Sequence, residues 1–180
     1  QAGNNVWDIG NIGAEPQRAK TIAFTAAYCE IESTYLVPAG SSIKTIADVD
    51  KPGIRIAVGK GAAYDLFLTR TLKHAQLIRS ETGGGRGMID LFFREKLDVV
   101  AGVKQSLQAH AVNDPGVRIM DGRFQVIEQA MALPKGRPAA AAYLKAFVEE
   151  MKASGFVAEG LKRSGQDAAV AGVAGSRLSP

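Results

Sequence analysis

The residue best suited to chemistry in this chain is Arg18, which follows a strand-like segment at Trp7–Gly13 by one turn. An arginine guanidinium is a fixed fork of donors that fits a carboxylate with two hydrogen bonds. Pro16 favours the first turn of a helix, because its missing N–H costs nothing there. The competing interpretation is a solvated surface arginine. The position of Arg18 one turn behind the strand end favours a carboxylate-binding role.

A second candidate is the loop Gly61-Ala62-Ala63, which lies between a predicted strand at 54–58 and a predicted helix at 62–74. N–H groups at a helix N-terminus attract anions, and small residues let a ligand approach the backbone. A tight connection without any ligand explains the same residues equally well. The loop therefore predicts an anion site only in combination with Arg18.

Metal, cofactor and catalytic motifs are missing from the sequence. His74 and His110 stand alone, without a second metal ligand at useful spacing. The glycines at 59–61 and 83–87 match neither phosphate-binding nor dinucleotide-binding spacing. Cys29 is the single cysteine, so no intrachain disulfide forms, and it has no evident histidine partner. We predict no metal, no cofactor and no catalytic residue.

The composition is that of a globular protein with a mild positive charge. The chain has 180 residues, of which 46% are hydrophobic and 22% are charged, and its net charge is +4. A positive balance favours anionic ligands. The basic residues are scattered and do not alternate with aromatic ones, which argues against nucleic acid as a partner.

Alternating strands and helices indicate an α/β fold with parallel strands. The predicted strands lie at 6–12, 31–37, 54–58, 76–79, 97–100, 117–120 and 124–133. Helices are predicted at 46–49, 62–74, 88–96, 106–112, 138–153 and 156–164, with a flexible glycine-rich loop at 82–87 and a poorly packed tail from Gln166. The segment 41–123 predicts one complete lobe, and 1–37 with 128–180 predicts part of another. Two hinge crossings, 38–40 and 124–127, would join the lobes around a cleft.

Several motifs, in this order, resemble the family 3 solute-binding proteins of ABC importers, which have the type 2 periplasmic-binding fold. They are Pro16-x-Arg18-Ala19-Lys20 with Phe24-Thr25 and Tyr28, the linker from Tyr35 to Asp48, Ile56-Ala57-Val58-x-Lys60-Gly61, Lys96-Leu97-Asp98, Pro134-Lys135-Gly136 and Lys152-Ala153-Ser154-Gly155. The resemblance spans Trp7 to about Gly165. It implies two α/β lobes that close on a small solute and deliver it to a membrane permease.

The resemblance also implies a set of binding residues. Arg18 matches the arginine that holds the ligand carboxylate, and Asn11 and Gly13 match small polar positions before it. Gly61, Ala62 and Ala63 match a G-T-T loop, so here only backbone donors remain of that loop.

Val103 is the largest departure from the family pattern, because amino-acid binders usually carry an aspartate there for the ligand ammonium. A buried ammonium without a counter-charge is costly. We therefore expect a carboxylate ligand without an α-amino group, or one whose amine is held elsewhere, for example by Glu30 or Glu128.

The second departure is length, because family members usually have about fifty more residues before the strand at Trp7. We therefore expect an incomplete first lobe with an exposed sheet edge, which favours a homodimer or swapped assembly.

The function that follows is capture of a small anionic solute in the periplasm for an ABC permease. The main alternative is a periplasmic dehydratase of the cyclohexadienyl dehydratase type on the same scaffold. A receptor's sensing domain and a degenerate, non-binding family member are further alternatives.

Overall fold

The computed structural model describes residues 6–81, 85–166 and 168–172. Its strands are β1 (Gly10–Gly13), β2 (Ile22–Pro38), β3 (Arg55–Gly59), β4 (Gln76–Ser80), β5 (Val99–Val103), β6 (Val117–Ile119), β7 (Gln125–Pro134) and β8 (Ala169–Val170). Its α-helices are α1 (Ala63–Thr71), α2 (Gly85–Arg94), α3 (Lys104–Ala111), α4 (Pro138–Ala153) and α5 (Phe156–Ser164), with 3₁₀ helices at Arg18–Lys20 and Ile46–Asp48. The predicted mixed α/β class is confirmed.

The chain divides into two compact units, one made of residues 1–31 and 127–180 and the other of residues 32–126. Strands β2 and β7 begin in one unit and end in the other. These units follow the order of the two predicted lobes, whose assignment as lobes joined by a hinge stays a prediction.

The unit of residues 32–126 is built on three parallel strands. β3 pairs with β4 and with β5 in parallel register, so the order is β4-β3-β5, and the last part of β2 adds to β5 in antiparallel register. β5 is apolar throughout, β3 is apolar after Arg55 at its start, and both are almost fully buried, as expected for strands covered on both faces. Helices α1, α2 and α3 follow β3, β4 and β5, so all three helices begin at the carboxyl edge of the parallel strands.

In residues 6–31, 127–166 and 168–172, which the structure describes of the other unit, there are antiparallel strands and the helices α4 and α5. β1 pairs with β7, β7 neighbours β2, and β8 pairs with β2 at Cys29 and Glu30. Pro138 is the first residue of α4, where its missing N–H costs nothing. Leu144, Val148 and Lys152 form the buried stripe of that helix, with helical spacing.

Two expectations from the sequence are wrong, and the strand expected at 31–37 is present but longer than expected. The described part of the loop at 82–87 is helical, since α2 begins at Gly85 and continues into the buried face that contains Met88 and Phe92 at helical spacing; residues 82–84 lie outside the described residues. The strand predicted at 31–37 is the end of a 17-residue strand that starts at Ile22. The strand predicted at 6–12 is short and begins at Gly10.

The tail also departs from expectation between residues 168 and 172. β8 pairs with β2, and the Ala171 N–H donates to the Tyr28 carbonyl at 3.1 Å. The buried Lys152 ammonium donates to the carbonyl oxygens of Ala27 at 3.1 Å and Gly172 at 2.9 Å. These contacts pack the segment onto the sheet. Residue 167 and residues 173–180 of the predicted tail lie outside the described residues.

Candidate functional site

Arg18 is fixed at the end of the first strand. β1 ends at the buried Gly13, and Arg18 begins the 3₁₀ helix that follows. The guanidinium Nη1 donates a hydrogen bond of 2.7 Å to the Gly13 carbonyl oxygen, and the Ala19 N–H donates to the Glu15 carbonyl at 3.0 Å. The Arg18 side chain therefore turns back toward the strand end.

The surroundings of Arg18 combine burial with a neighbouring carboxylate. Burial lowers the pKa of the Arg18 guanidinium, and the charge of Glu15 opposes that shift. Glu15 itself is 4% exposed. An arginine remains protonated in such a setting, because its unperturbed pKa lies far above neutral pH. The result is a half-buried cation whose attraction to an anion is stronger than at a fully exposed position.

The strand register places the other candidates of this unit around Gly13. Gly13 lies opposite Gln129, and the Ala14 N–H donates to the Glu128 carbonyl at 2.7 Å. The backbone of Glu128 is therefore next to the Arg18 turn, while its side chain is exposed. Asn11 lies opposite Met131 and lines a groove of about 300 Å³ against α4 and α5. Gly13 and Arg18 are linked by a hydrogen bond, and Asn11 and Glu128 lie beside them on the paired strands β1 and β7.

The loop after β3 differs from expectation in its hydrogen bonds. The Gly61 N–H donates to Asp65 Oδ2 at 2.8 Å, and the Ala62 N–H donates to the Gly59 carbonyl at 3.1 Å. The expectation that these two groups are free donors is wrong, because the loop folds on itself with Gly61 at a φ of +73°. Ala63 is the first residue of α1 and presents the N–H end of that helix. Ligand binding by these three residues stays a prediction.

Asp65 organises this loop, and the sequence analysis missed its role. The side chain is buried, and besides Gly61 it accepts a hydrogen bond from Arg79 Nε at 3.0 Å. An acidic residue at the third position of a helix that reaches back to the preceding backbone is a known N-terminal pattern. That position was the available signal.

A cluster of three charged residues lies at the end of β5, which we call the Glu32 cluster: Glu32, Lys104 and Arg123. Lys104 Nζ lies 2.7 Å from Glu32 Oε2, and Arg123 Nη1 lies 2.7 Å from Glu32 Oε1. The hydrogen bonds from Lys104 and then Arg123 lower the pKa of the Glu32 carboxyl. Val103, the predicted site residue, ends β5 directly before Lys104 and brings no charge. The cluster depends on the pairing of β2 with β5, which no local sequence signal shows.

Cys29 and Glu30 are the remaining residues named from the sequence. Cys29 is buried with a free thiol, and burial raises its pKa. Glu30 is half-buried and lies opposite Ala169.

Within residues 6–81, 85–166 and 168–172, no three His, Cys, Asp or Glu side chains gather as a metal site would need. None of the described helices has both the length and the apolarity that a bilayer crossing requires.

The family model for bacterial extracellular solute-binding proteins, family 3, matches residues 2–165. No curated protein sequence matches the chain significantly.

Three solved structures illustrate the likeness in fold. The cysteine-binding protein from Campylobacter jejuni superposes with a TM-score of 0.76 at 16% identity, over 95% of this chain and 73% of that chain. A putative ABC transporter binding component from Wolinella succinogenes, complexed with lysine, superposes with a TM-score of 0.75 at 20% identity, over 90% of this chain and 71% of that chain. An ancestral amino acid-binding protein, a precursor of cyclohexadienyl dehydratase, superposes with a TM-score of 0.72 at 18% identity, over 90% of this chain and 70% of that chain.

These identities establish the fold, and the family match covers more than half of the sequence. The expected periplasmic-binding type of α/β fold is confirmed. On these grounds, the chain belongs to the bacterial extracellular solute-binding proteins of family 3.

Proposed function

We propose that this chain binds a small solute bearing a carboxylate, in the periplasm, as the solute-binding component of an ABC importer. The observation that carries the proposal is the position of Arg18, held by Gly13 at the end of β1 and half-buried beside Glu15. A planar cation in a partly desolvated position is the group best matched to a carboxylate.

The guanidinium of Arg18 is pre-organised for binding by its hydrogen bond to Gly13. A hydrogen bond to a charged group contributes about 1.5–3 kcal/mol, and two parallel bonds add geometric selectivity. The Arg18–Gly13 bond fixes the fork before the ligand arrives, so less side-chain entropy is lost on binding. We assign the carboxylate to Arg18, with Asn11, Gly13 and Glu128 flanking it.

The second contribution comes from the carboxyl edge of the parallel strands. In open α/β sheets, ligands bind outside the carboxyl ends of the strands. The loop Gly61-Ala62-Ala63 and Val103 lie at this edge. We assign them to the ligand, with the N–H end of α1 at Ala63 as a donor to an anion.

The residues at the end of β5 determine which class of ligand we propose. Val103 supplies no carboxylate for an ammonium, and Lys104 directly after it brings a positive charge. We propose an organic acid without an α-amino group. Amino acids are the main competitor, because the similar structures include a cysteine-binding protein and a binding component complexed with lysine.

Calorimetry on matched ligand sets tests this assignment. Each set contains an amino acid, its 2-keto acid and the plain carboxylic acid with the same carbon skeleton. We expect micromolar binding of keto or plain acids and weaker binding of their amino acids. Tighter binding of an amino acid, lost in Glu128→Gln or Glu30→Gln but kept in Glu150→Gln, would assign the amine to one of those carboxylates instead.

Binding without turnover is part of the proposal. The dehydratase alternative needs an acidic residue that donates a proton. The buried Asp65 is held in an ion pair with Arg79, and Glu32 is held by two cations. Incubation with prephenate or arogenate is expected to leave the substrate unchanged, and product formation above the uncatalysed rate would favour the enzyme.

Self-association through β1 stays a prediction. In the described part of the chain, β7 is the strand that pairs with β1, and one edge of β1 has no strand partner. Light scattering over a wide concentration range tests it, and a monomer at every concentration contradicts it.

A further inference from the structure

A buried ion pair lies beside the loop that follows β3. Asp65, in the first turn of α1, is 3% exposed, and its Oδ1 lies 3.0 Å from Arg79 Nε. The other carboxylate oxygen, Oδ2, accepts a hydrogen bond from the Gly61 N–H at 2.8 Å. The two oxygens of Asp65 therefore connect β4, which carries Arg79, to the loop.

The pairing of β3 with β4 brings Arg79 to this position. The Lys60 N–H donates to the Ser80 carbonyl at 3.2 Å, so the end of β4 runs beside the loop. Arg79 Nη2 donates a second hydrogen bond, of 2.8 Å, to Thr69 Oγ1. The Thr69 hydroxyl in turn donates to the Asp65 carbonyl oxygen at 2.7 Å. The guanidinium is thus held at two points against α1.

The conformation of the loop depends on this pair. Gly61 has a φ of +73°, and a glycine adopts positive and negative φ with similar ease. The hydrogen bond to Asp65 selects one of these conformations. A buried carboxylate without its cation is costly, so without Arg79 the Asp65 side chain would turn toward solvent and release the Gly61 N–H.

We propose that Arg79 is a positioning residue for ligand binding, which acts through Asp65 to fix the loop Gly61-Ala62-Ala63 in its binding conformation. Arg79 itself makes no contact with the ligand. A loop that is fixed before binding loses less conformational freedom when the ligand arrives, so the affinity depends on how firmly the loop is held. This inference rests on the proposed function, which assigns that loop to the ligand.

Calorimetry on Arg79→Gln tests the inference. The probe is the keto or plain carboxylic acid that binds the wild-type protein most tightly, and we expect Arg79→Gln to weaken its binding at least fivefold. The double variant Asp65→Asn/Arg79→Gln should bind no more than twofold more weakly than Asp65→Asn alone, because Arg79 acts through Asp65. Fully additive losses would show that Arg79 acts independently of Asp65, and they overturn the inference.

Arg94→Gln is the matched control. It removes an arginine of the same unit that also pairs with an acid, the exposed Glu95, at 2.9 Å. It should change the affinity by no more than twofold, and thermal unfolding shows whether each variant is folded. Where Arg79→Gln does not fold, Asp65→Asn takes its place and should also weaken binding at least fivefold, because it weakens the bond from Gly61.

A role of Arg79 confined to stability would lower the unfolding temperature of Arg79→Gln and leave the affinity of the folded variant within twofold of the wild type. That result overturns the inference, while a loss of binding in Arg18→Gln keeps the proposed function standing. Failure of every acid and amino acid to bind the wild-type protein overturns both.

Discussion

The Asp65 carboxylate accepts a 2.8 Å hydrogen bond from the Gly61 N–H, four residues earlier in the chain. The same carboxylate is buried and pairs with Arg79. It therefore fixes the conformation of the loop before α1. It also accepts the hydrogen bond of the Gly61 N–H, a donor that the sequence alone suggests is available to a ligand.

We expect Asp65→Asn to destabilise the protein by about 1–3 kcal/mol, because a buried charge-assisted network loses its ionised acceptor. Urea unfolding of the variant and the wild type measures the difference. Glu81→Gln is the control, since its pair with Lys60 is exposed and contributes less than about 1 kcal/mol. Equal stabilities of the two variants would contradict the role assigned to Asp65.

Lys152 anchors the segment that carries β8. Its ammonium donates to Ala27 and Gly172 carbonyls and pairs with Glu149 at 2.7 Å, and its side chain is fully buried. Lys152→Met leaves those acceptors without a donor, so we expect a loss of about 1–3 kcal/mol. Amide hydrogen exchange at Ala171 should accelerate in this variant. Lys145→Met on an exposed position of the same helix should change neither quantity, and unchanged exchange in Lys152→Met would refute the anchor.

Gly102 in β5 lies close to two buried side chains, Met88 and Leu107. A Cβ at this position would lie 2.6 Å from Met88 Cε and 3.3 Å from Leu107 Cδ2. Overpacking of this kind typically costs about 1–3 kcal/mol, so Gly102→Ala should lower the free energy of unfolding by that amount. At Gly40 nothing lies within 4 Å of an added Cβ, so Gly40→Ala serves as the control. An unchanged free energy of unfolding in Gly102→Ala would show that Met88 and Leu107 repack without cost.

The pH dependence of stability should report on Glu32. Hydrogen bonds from Lys104 and Arg123 lower the pKa of Glu32 below its ordinary 4.5. A lowered pKa in the folded state stabilises the protein at neutral pH, and this contribution is lost as the pH falls through the folded-state pKa. The cluster is partly exposed, so we expect about 0–1 kcal/mol. The difference in unfolding free energy between wild type and Glu32→Gln should therefore shrink in acid. A difference that grows in acid would contradict a lowered pKa of Glu32.

The helices near the C-terminus were predictable to the residue, and the physical reason is their local signals. Pro138 starts α4, and Gly155 and Gly165, both at positive φ, flank α5. The long strand β2 was only half predicted, because its first part is rich in alanine and does not alternate. Its length is set by partners distant in sequence, including β5 and β8.

The candidate site shows the same division between local and distant information. Arg18 and its bond to Gly13 span five residues, so the sequence predicts them. The contact between Lys104 and Glu32 spans 72 residues, and the one between Arg123 and Glu32 spans 91. Both require the register of β2 against its neighbours, which only the folded chain supplies.

The central claim is that Arg18 holds the carboxylate of the ligand. Calorimetry with the tightest-binding acid of the panel compares wild type, Arg18→Gln and the control Lys20→Gln, which removes an exposed cation from the same 3₁₀ helix. We expect at least a tenfold loss of affinity for Arg18→Gln, the equivalent of about 1.4 kcal/mol, and no more than a twofold change for Lys20→Gln. Unchanged affinity in a folded Arg18→Gln variant would contradict the account.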